Sequence, residues 1–390
     1  MENRESRDLK SLPLDLLKEK MTELSEKPFR AKQLYDWMHV KLAGDYDEMT
    51  NLSAAFRNRL KEEYPLTTLR VVREQTSAID GTKKFLFALP DGNLVESVWM
   101  QYKHGNSVCI SSQVGCRMGC RFCASTLNGK VRDLRPSEML DQIYRIQKIT
   151  GERVSNVVVM GSGEPMDNYD NLIKFIELLN DERGLNISQR NITVSSCGIV
   201  PKLKELADLK LQITLAISLH APNDELRKTM MPIANKYSIE EIMDVCRYYI
   251  ECTGRRISFE YSLVKGVNDS MECAKQLIEL VKGMNCHINL IPVNPSLNAS
   301  KRDKLPNWDR YFLSFAQNQF RLNQMVYKYE RLAHIFRECQ RDSLNAAWSV
   351  EELYVKNIKN DQFCKVLESR LKPIYELART QGYRIWMVGE

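Results

Sequence analysis

No apolar run in the 390 residues approaches the roughly 20 needed to cross a bilayer, so a membrane-spanning helix is not expected. The opening MENRESRDLK is charged where a signal peptide would be apolar, and a cytoplasmic protein is the expectation. Charge of one sign is not in large excess. The 56 Lys and Arg stand against 50 Asp and Glu, a net charge of +6, which permits a nucleic-acid partner without demanding one. Internal repeats and low-complexity tracts are absent, and 43% hydrophobic content excludes disorder as the main state. The 11 cysteines are odd in number and accompany no export signal, which argues against a disulfide framework. Clustered cysteines in such a chain point to a metal or to redox chemistry. The length allows about two to three domains.

Residues 10–64 show helical periodicity, as in LKSLPLDLLKEKMTEL and FRAKQLYDWMHVKL, and Ser53 is placed to cap the helix AAFRNRLKEEY. The period then changes. LRVVREQTS, KKFLFALP and LVESVWMQYK are short and β-rich, with turns at Asp80-Gly81 and Asp91-Gly92. From about residue 107, strand-like and helix-like runs alternate. The strands are SVCISSQ, VSNVVVMG, NITVSSC, LQITLAISL, ISFEYSLV and CHINLIPV. Amphipathic runs such as SEMLDQIYRIQKI and SIEEIMDVCRYYIE lie between them. This predicts an α/β protein with βαβ units and a parallel sheet, and the number of units suits a (β/α)6-type partial barrel. In such folds the chemistry sits at the C-terminal strand ends. The expected organisation is a small helical accessory domain over residues 1–66, a short β meander over 67–104, the partial barrel over 105–295, and a divergent, mostly helical extension over 296–390. The closing GYRIWMVGE looks like a last strand.

Cys116, Cys120 and Cys123 form a CxxxCxxC spacing directly after a strand. Three thiolates cannot complete a tetrahedral zinc site alone. They can hold three irons of a [4Fe–4S] cluster and leave the fourth open to a small molecule. Gly115 and Gly119 let backbone approach closely. The alternatives are zinc with a fourth ligand elsewhere, or buried cysteines that happen to be neighbours.

With its aromatic before the third cysteine, this loop resembles the radical S-adenosylmethionine (SAM) superfamily. There the open iron binds the amino and carboxylate groups of SAM, and an injected electron releases a 5′-deoxyadenosyl radical. The likeness goes further. CISSQVGCRMGCRFCAS, GSGEPMDN, ITVSSCGIVP, ISLHAPNDELR and INLIPVNP, in this order, resemble the RlmN/Cfr family of radical SAM RNA adenine methyltransferases, and FRAKQLYDWMHVK and EMTNLS resemble its helical accessory domain. The resemblance covers roughly residues 10–295. It implies that Cys116, Cys120 and Cys123 hold the cluster. It also implies that Gly163, Glu164, Ser195, Ser218, Leu219, His220 and Asn294 bind SAM, with the Glu164 carboxylate facing the ammonium. Glu96 matches the family's general base, and Cys109 matches a cysteine that assists product release. Read alone, Glu96 would be a solvated strand residue, Cys109 a small buried hydrophobe and His220 a satisfied structural histidine. The implied partners are a structured RNA (rRNA or tRNA) and an electron donor such as flavodoxin or ferredoxin, with the protein a monomer. Arg30, Lys32, Lys41, Arg57, Arg59 and Lys61 would contact phosphates, unless they simply form a solvated helix face.

One departure stands out. The family first methylates another cysteine, in a loop of the form DIxAACGQL, and this sequence contains no ACGQL. Cys339, in FRECQRDSLNAAW, lies about as far beyond Asn294 as the family's methyl carrier, with Trp348 where the echoed motif would have its cysteine; Cys364 is a second candidate. Alternatively, YELARTQGYRIWMVGE is the family's last helix and strand, residues 296–365 hold an insertion, and the chain stops just before the carrier loop. Periodicity favours this second alternative. RNA adenine methylation is the activity the resemblance implies. The missing motif keeps two others open: a radical SAM paralogue with different chemistry, and a non-catalytic Fe–S protein that binds RNA.

Overall fold

The computed structural model describes residues 7–78, 80–103, 105–264, 266–293 and 385–387. The chain divides into two compact units. The described residues of Met1–Gln75, Lys83–Val114 and Val131–Thr193 form the first; those of Thr76–Thr82, Gly115–Lys130 and Val194–Glu390 form the second.

The first unit opens with three helices, α1 (Leu14–Glu23), α2 (Phe29–His39) and α3 (Ala54–Glu63). The Ser53 side chain accepts from Phe56 N at 3.3 Å, the expected N-cap. Next come β1 (Arg70–Thr76), β2 (Lys83–Ala88), β3 (Leu94–Tyr102) and β4 (Gly105–Cys109). Strand β1 is polar and largely exposed at the sheet edge, as an unpaired edge requires. β2–β3 and β3–β4 pair antiparallel, whereas β4 pairs parallel with β7 (Val154–Val159). At β4, therefore, the meander hands over to the βαβ part. Helix α4 (Pro136–Thr150) leads into β7, and α5 (Tyr169–Asn180) follows it. Pro136 opens α4, Glu138 reaches back to the Arg135 N–H, and Gly151 closes the helix with φ 72°.

One polar cluster ties the start of the chain into this core. Lys10 and Asp141 are both fully buried, with Nζ 2.8 Å from Oδ1. Lys10 also donates to Thr67 O, and the second Asp141 oxygen accepts from Leu69 N at 2.6 Å. His39, buried nearby on α2, shares a 2.7 Å hydrogen bond with the Tyr144 hydroxyl.

The second unit carries β8 (Ile192–Ser196), β9 (Thr214–Ser218), β10 (Ile257–Val264), β11 (Cys286–Val293) and β12 (Ile385–Met387) in that lateral order. β9–β10, β10–β11 and β11–β12 pair parallel, and Ile288 lies opposite Ile385. The strand expected in GYRIWMVGE therefore pairs with β11. Helices α6 (Val200–Asp208), α7 (Asp224–Met230), α8 (Ile239–Thr253) and α9 (Met271–Leu280) make the connections. Helix α8 shows the local logic. Ser238 and Glu241 form a capping box, Ile239, Ile242, Met243, Cys246 and Tyr249 line its buried face, and Gly254 closes it at φ 67°. No described helix is long and apolar enough to cross a membrane.

Candidate functional site

The cysteine loop spans residues 115–130, between β5 (Gln113–Gly115) and β6 (Lys130–Asp133). Its ends are clamped. Cys116 N donates to Gly129 O at 3.1 Å, and a Cβ on Gly115, at φ 73°, would lie 2.0 Å from that oxygen. Only glycine fits there. The Thr126 hydroxyl donates to Cys123 O at 2.9 Å and Cys120 O at 3.2 Å, and Gly119 rests against Pro232. None of the three cysteines is in a disulfide; Cys116 and Cys120 are buried and Cys123 is half-buried. Cys120 packs with Cys197, Met230 and Met231, and Met118, Phe122, Ile199, Ile233 and Val264 pack against them.

Among the described residues no three His, Cys, Asp or Glu side chains converge as a site for one metal ion. A single zinc with bonds of about 2.3 Å needs its sulfurs almost in contact. A [4Fe–4S] cluster asks less, because each thiolate takes its own iron. Three thiols outside any disulfide on a glycine-clamped loop, packed against methionine and aliphatic side chains, fit such a cluster in donor type and in the dry surroundings that protect it.

Within the same unit, Ser195 and Ser218 end neighbouring strands with their hydroxyls 3.5 Å apart, at the limit of a hydrogen bond. The Leu219 and His220 amides both donate to Glu260 O, at 3.1 and 3.2 Å. His220 Nδ1 accepts from Ser262 N at 3.0 Å, which leaves the ring proton on Nε2. Burial, followed by the nearby Arg227 charge, pushes the imidazole down to about 3, so it is neutral. Phe122 of the cysteine loop meets this ring edge-on, with centroids 4.8 Å apart. The His220 side chain is thus held by the fold, as the residue read alone would suggest. Asn294, Cys339 and Cys364 lie outside the described residues.

In the first unit, the Glu164 carboxylate is buried and caps the short helix Pro165–Asn168 by accepting from Met166 N at 3.1 Å. Its loop is held by Gln113, which the sequence did not single out. Gln113 Oε1 accepts from Glu164 N at 2.9 Å, and Nε2 donates to Asp133 and Asp167. Gly163 has φ 107°, and its Cβ would meet Gln113 N at 2.7 Å. Gly163→Ala is therefore expected to displace the Glu164 loop and cost about 2–4 kcal/mol, read as a lowered urea midpoint at unchanged slope.

Glu96 is buried rather than solvated. Lys84 on β2 lies opposite Val98 on β3, Glu96 is two residues from Val98, and Cys109 on β4 faces Val98 from the other side. The three therefore share one sheet face. Lys84 Nζ is 3.2 Å from Glu96 Oε2, with both side chains more than 90% buried, and Glu96 Oε1 has no hydrogen-bond partner among the described residues. Burial pushes the Glu96 carboxyl up and the Lys84 ammonium down, each opposed by its partner's charge. Burial also pushes the Cys109 thiol well up. Lys84 is the residue that the sequence hid here.

The basic residues proposed for RNA are mostly engaged locally. Lys61 pairs with Asp47 at 2.6 Å, Arg59 with Glu63 at 3.0 Å and Lys41 with Asp36 at 3.0 Å. Arg57 donates to Asp47 O, and Arg30 to Gln33 and Asn51 O; Lys32 is exposed.

Comparison with known proteins adds independent support. Residues 110–280 match the family model of the Radical SAM superfamily, and residues 7–65 match that of the Ribosomal RNA large subunit methyltransferase N-terminal domain. A curated relative from Lachnospira eligens, named "Probable dual-specificity RNA methyltransferase RlmN", is 85% identical over 288 residues, which is 74% of this chain and 82% of the relative. One of the same name from Lachnoclostridium phytofermentans is 61% identical, covering 74% of this chain and 81% of its own. The crystal structure of a radical SAM methyltransferase from Sphaerobacter thermophilus superposes with a TM-score of 0.71 at 38% identity, covering 85% of this chain and 92% of that one.

Proposed function

The chain belongs to the RlmN family of radical SAM methyltransferases, and from that premise we propose that it methylates an adenine in structured RNA. The observation that carries this reading is the glycine-clamped loop with three cysteines outside any disulfide, in a chain 85% identical over 288 residues to an RlmN relative. The cofactors of this superfamily are a [4Fe–4S] cluster and SAM. When bound, they supply a strong one-electron reductant, a methyl group and a hydrogen-abstracting radical.

The chain's own residues take the remaining roles. Cys116, Cys120 and Cys123 hold the cluster. Glu164 offers its carboxylate to an ammonium, and the hydroxyls of Ser195 and Ser218 suit a ribose edge. Gly163 shapes the backbone beside Glu164, Leu219 and His220 shape that beyond Ser218, and Asn294 suits an adenine edge. Glu96 takes up a proton on the pathway to product. Its burial raises its basicity, and Lys84 keeps the carboxylate from being isolated in a dry site. Cys109 lies on the same face for product release. Residues 1–66 form an RNA-contacting domain, 67–104 a connecting meander, 105–295 the catalytic domain and 296–390 a C-terminal extension. The target adenine, in rRNA or tRNA, must be unstacked to be reached. The protein works as a cytoplasmic monomer, with electrons from a flavodoxin or ferredoxin.

The test is anaerobic reconstitution of the full chain, incubation with methyl-labelled SAM, a reductant and a ribosomal RNA fragment, and nucleoside analysis. Labelled methyladenosine together with 5′-deoxyadenosine is the expected result. SAM cleavage with no label in any adenine of rRNA or tRNA would overturn it. Peptide mapping of the label in the same samples tests Cys339 and Cys364 as methyl carriers.

A further inference from the structure

Arg227 is the largest fully buried side chain among the described residues. It lies on α7, whose C-terminal carbonyl at Met230 accepts from Arg121 N of the cysteine loop at 2.9 Å. Its guanidinium is pinned by carbonyls: Nε donates to Leu219 O at 3.2 Å, and Nη2 to Cys197 O at 2.6 Å and Ser218 O at 3.3 Å. Nη1 is buried and has no hydrogen-bond partner among the described residues. Carbonyl dipoles orient the group without neutralising it, and a guanidinium stays charged in proteins. A buried charge without an anion is costly, so this one needs a negative group in its vicinity. Among the described residues no carboxylate is hydrogen-bonded to it. Cys120 packs with Cys197 and with Met230 at the end of α7, and burial pulls the guanidinium down, opposed by Cys197, Cys120 and Asp224.

We propose that Arg227 is a positioning residue for the [4Fe–4S] cluster, supplying from α7 the buried positive charge that offsets the cluster's anionic thiolate side at Cys120. The inference rests on the proposed reading of Cys116, Cys120 and Cys123 as cluster ligands. Net charge and desolvation around a cluster set its reduction potential, and a fixed cation in a dry environment stabilises the more negative, reduced form. Arg227 thereby makes the cluster easier to reduce. It also couples the cluster to the ends of β8 and β9, whose carbonyl groups hold the other edge of the guanidinium.

The experiment compares full-length wild type, Arg227→Gln and Arg227→Lys after anaerobic reconstitution. Iron and acid-labile sulfide are counted first, and the cluster is then titrated redoxically by electron paramagnetic resonance without SAM. Arg227→Gln should shift the potential downward, by ~59 mV if reduction becomes tenfold less favourable. Arg227→Lys, which keeps the charge but loses the planar fork, should stay near wild type. Cluster uptake by Arg227→Lys but not by Arg227→Gln supports the same role. Three results overturn it: potentials equal in all three proteins, equal shifts in both variants, or equal loss of iron in both, which marks a purely structural arginine. An unchanged potential with SAM binding weakened tenfold would move the charge to a ligand carboxylate and overturn it as well. If wild type itself takes up no iron and sulfide, the ligand reading fails first and this inference falls with it.

Discussion

Replacing Cys120 with alanine is expected to leave the reconstituted protein with almost none of the ~4 irons of a [4Fe–4S] cluster and to abolish SAM cleavage. In the proposed reading each of the three thiolates is the sole protein ligand of one iron, and the fourth iron stays open. Removing one therefore strips a corner that no neighbour replaces. Cys197 packs against Cys120, but it sits at the end of β8, and its carbonyl is bound by Arg227 at 2.6 Å. Cys123→Ala and Cys116→Ala should behave alike. Cys246, buried in α8, serves as the control. Its replacement by alanine should cost about 1 kcal/mol in stability and no iron. Iron and sulfide counts with the visible absorption spectrum decide the matter. Retention of a full cluster by Cys120→Ala would remove this loop from the chemistry.

The second large effect is one of stability. Asp141→Ala is expected to cost about 3–5 kcal/mol and to lower Tm by on the order of 10 °C. Lys10 and Asp141 are completely buried, so the loss is not the modest one of a surface pair. Without the carboxylate, the Lys10 ammonium keeps the Thr67 carbonyl and the Tyr144 ring, Arg145 loses its ion pair, and Leu69 N loses its acceptor. The Lys10 charge is left without an anion and the Leu69 N–H without an acceptor, both in desolvated surroundings. The double variant Lys10→Met with Asp141→Leu should regain part of the loss, because it removes the stranded ammonium while Leu69 N and Arg145 still lack the carboxylate. Calorimetry of the single and double variants checks both statements. An unchanged Tm in Asp141→Ala would show that the cluster contributes little.

The sequence made the βαβ part legible because six runs are each apolar, β-branched and bounded by turns, and all six are strands. Helices α6 and α7 escaped notice for physical reasons. Pro201 at the start of α6 looks like a breaker, although a first-turn proline lacks only an N–H that would have no helical partner. Helix α7 is seven residues long and depends on the Asn223 cap and on tertiary burial of Arg227. At the site, spacing alone marked the three cysteines. It could not mark Lys84, because two lysines at the head of a strand look solvated until the register of β2, β3 and β4 brings one beside Glu96 and Cys109. Nor could it show Glu96 as buried, since a lone carboxylate in a strand is normally exposed. The resemblance assigned His220 to SAM, and the sequence could not show that its Nδ1 accepts from Ser262 N. Gln113 is a polar residue whose importance lies wholly in what it holds in place.

The glycines of the cysteine loop carry a genetic consequence. Every missense change reachable by one base from a glycine codon introduces a residue with a Cβ. At Gly115 that atom would lie 2.0 Å from a backbone oxygen that cannot move aside without releasing Cys116. At Gly92 and Gly129 the backbone is also left-handed, but no other atom lies within 4 Å of where the Cβ would go. Those codons can drift to aspartate at the modest expense of an αL residue. In a population of variants under selection, codon 115 should therefore change only at its third, synonymous base, while codons 92 and 129 also accept missense changes.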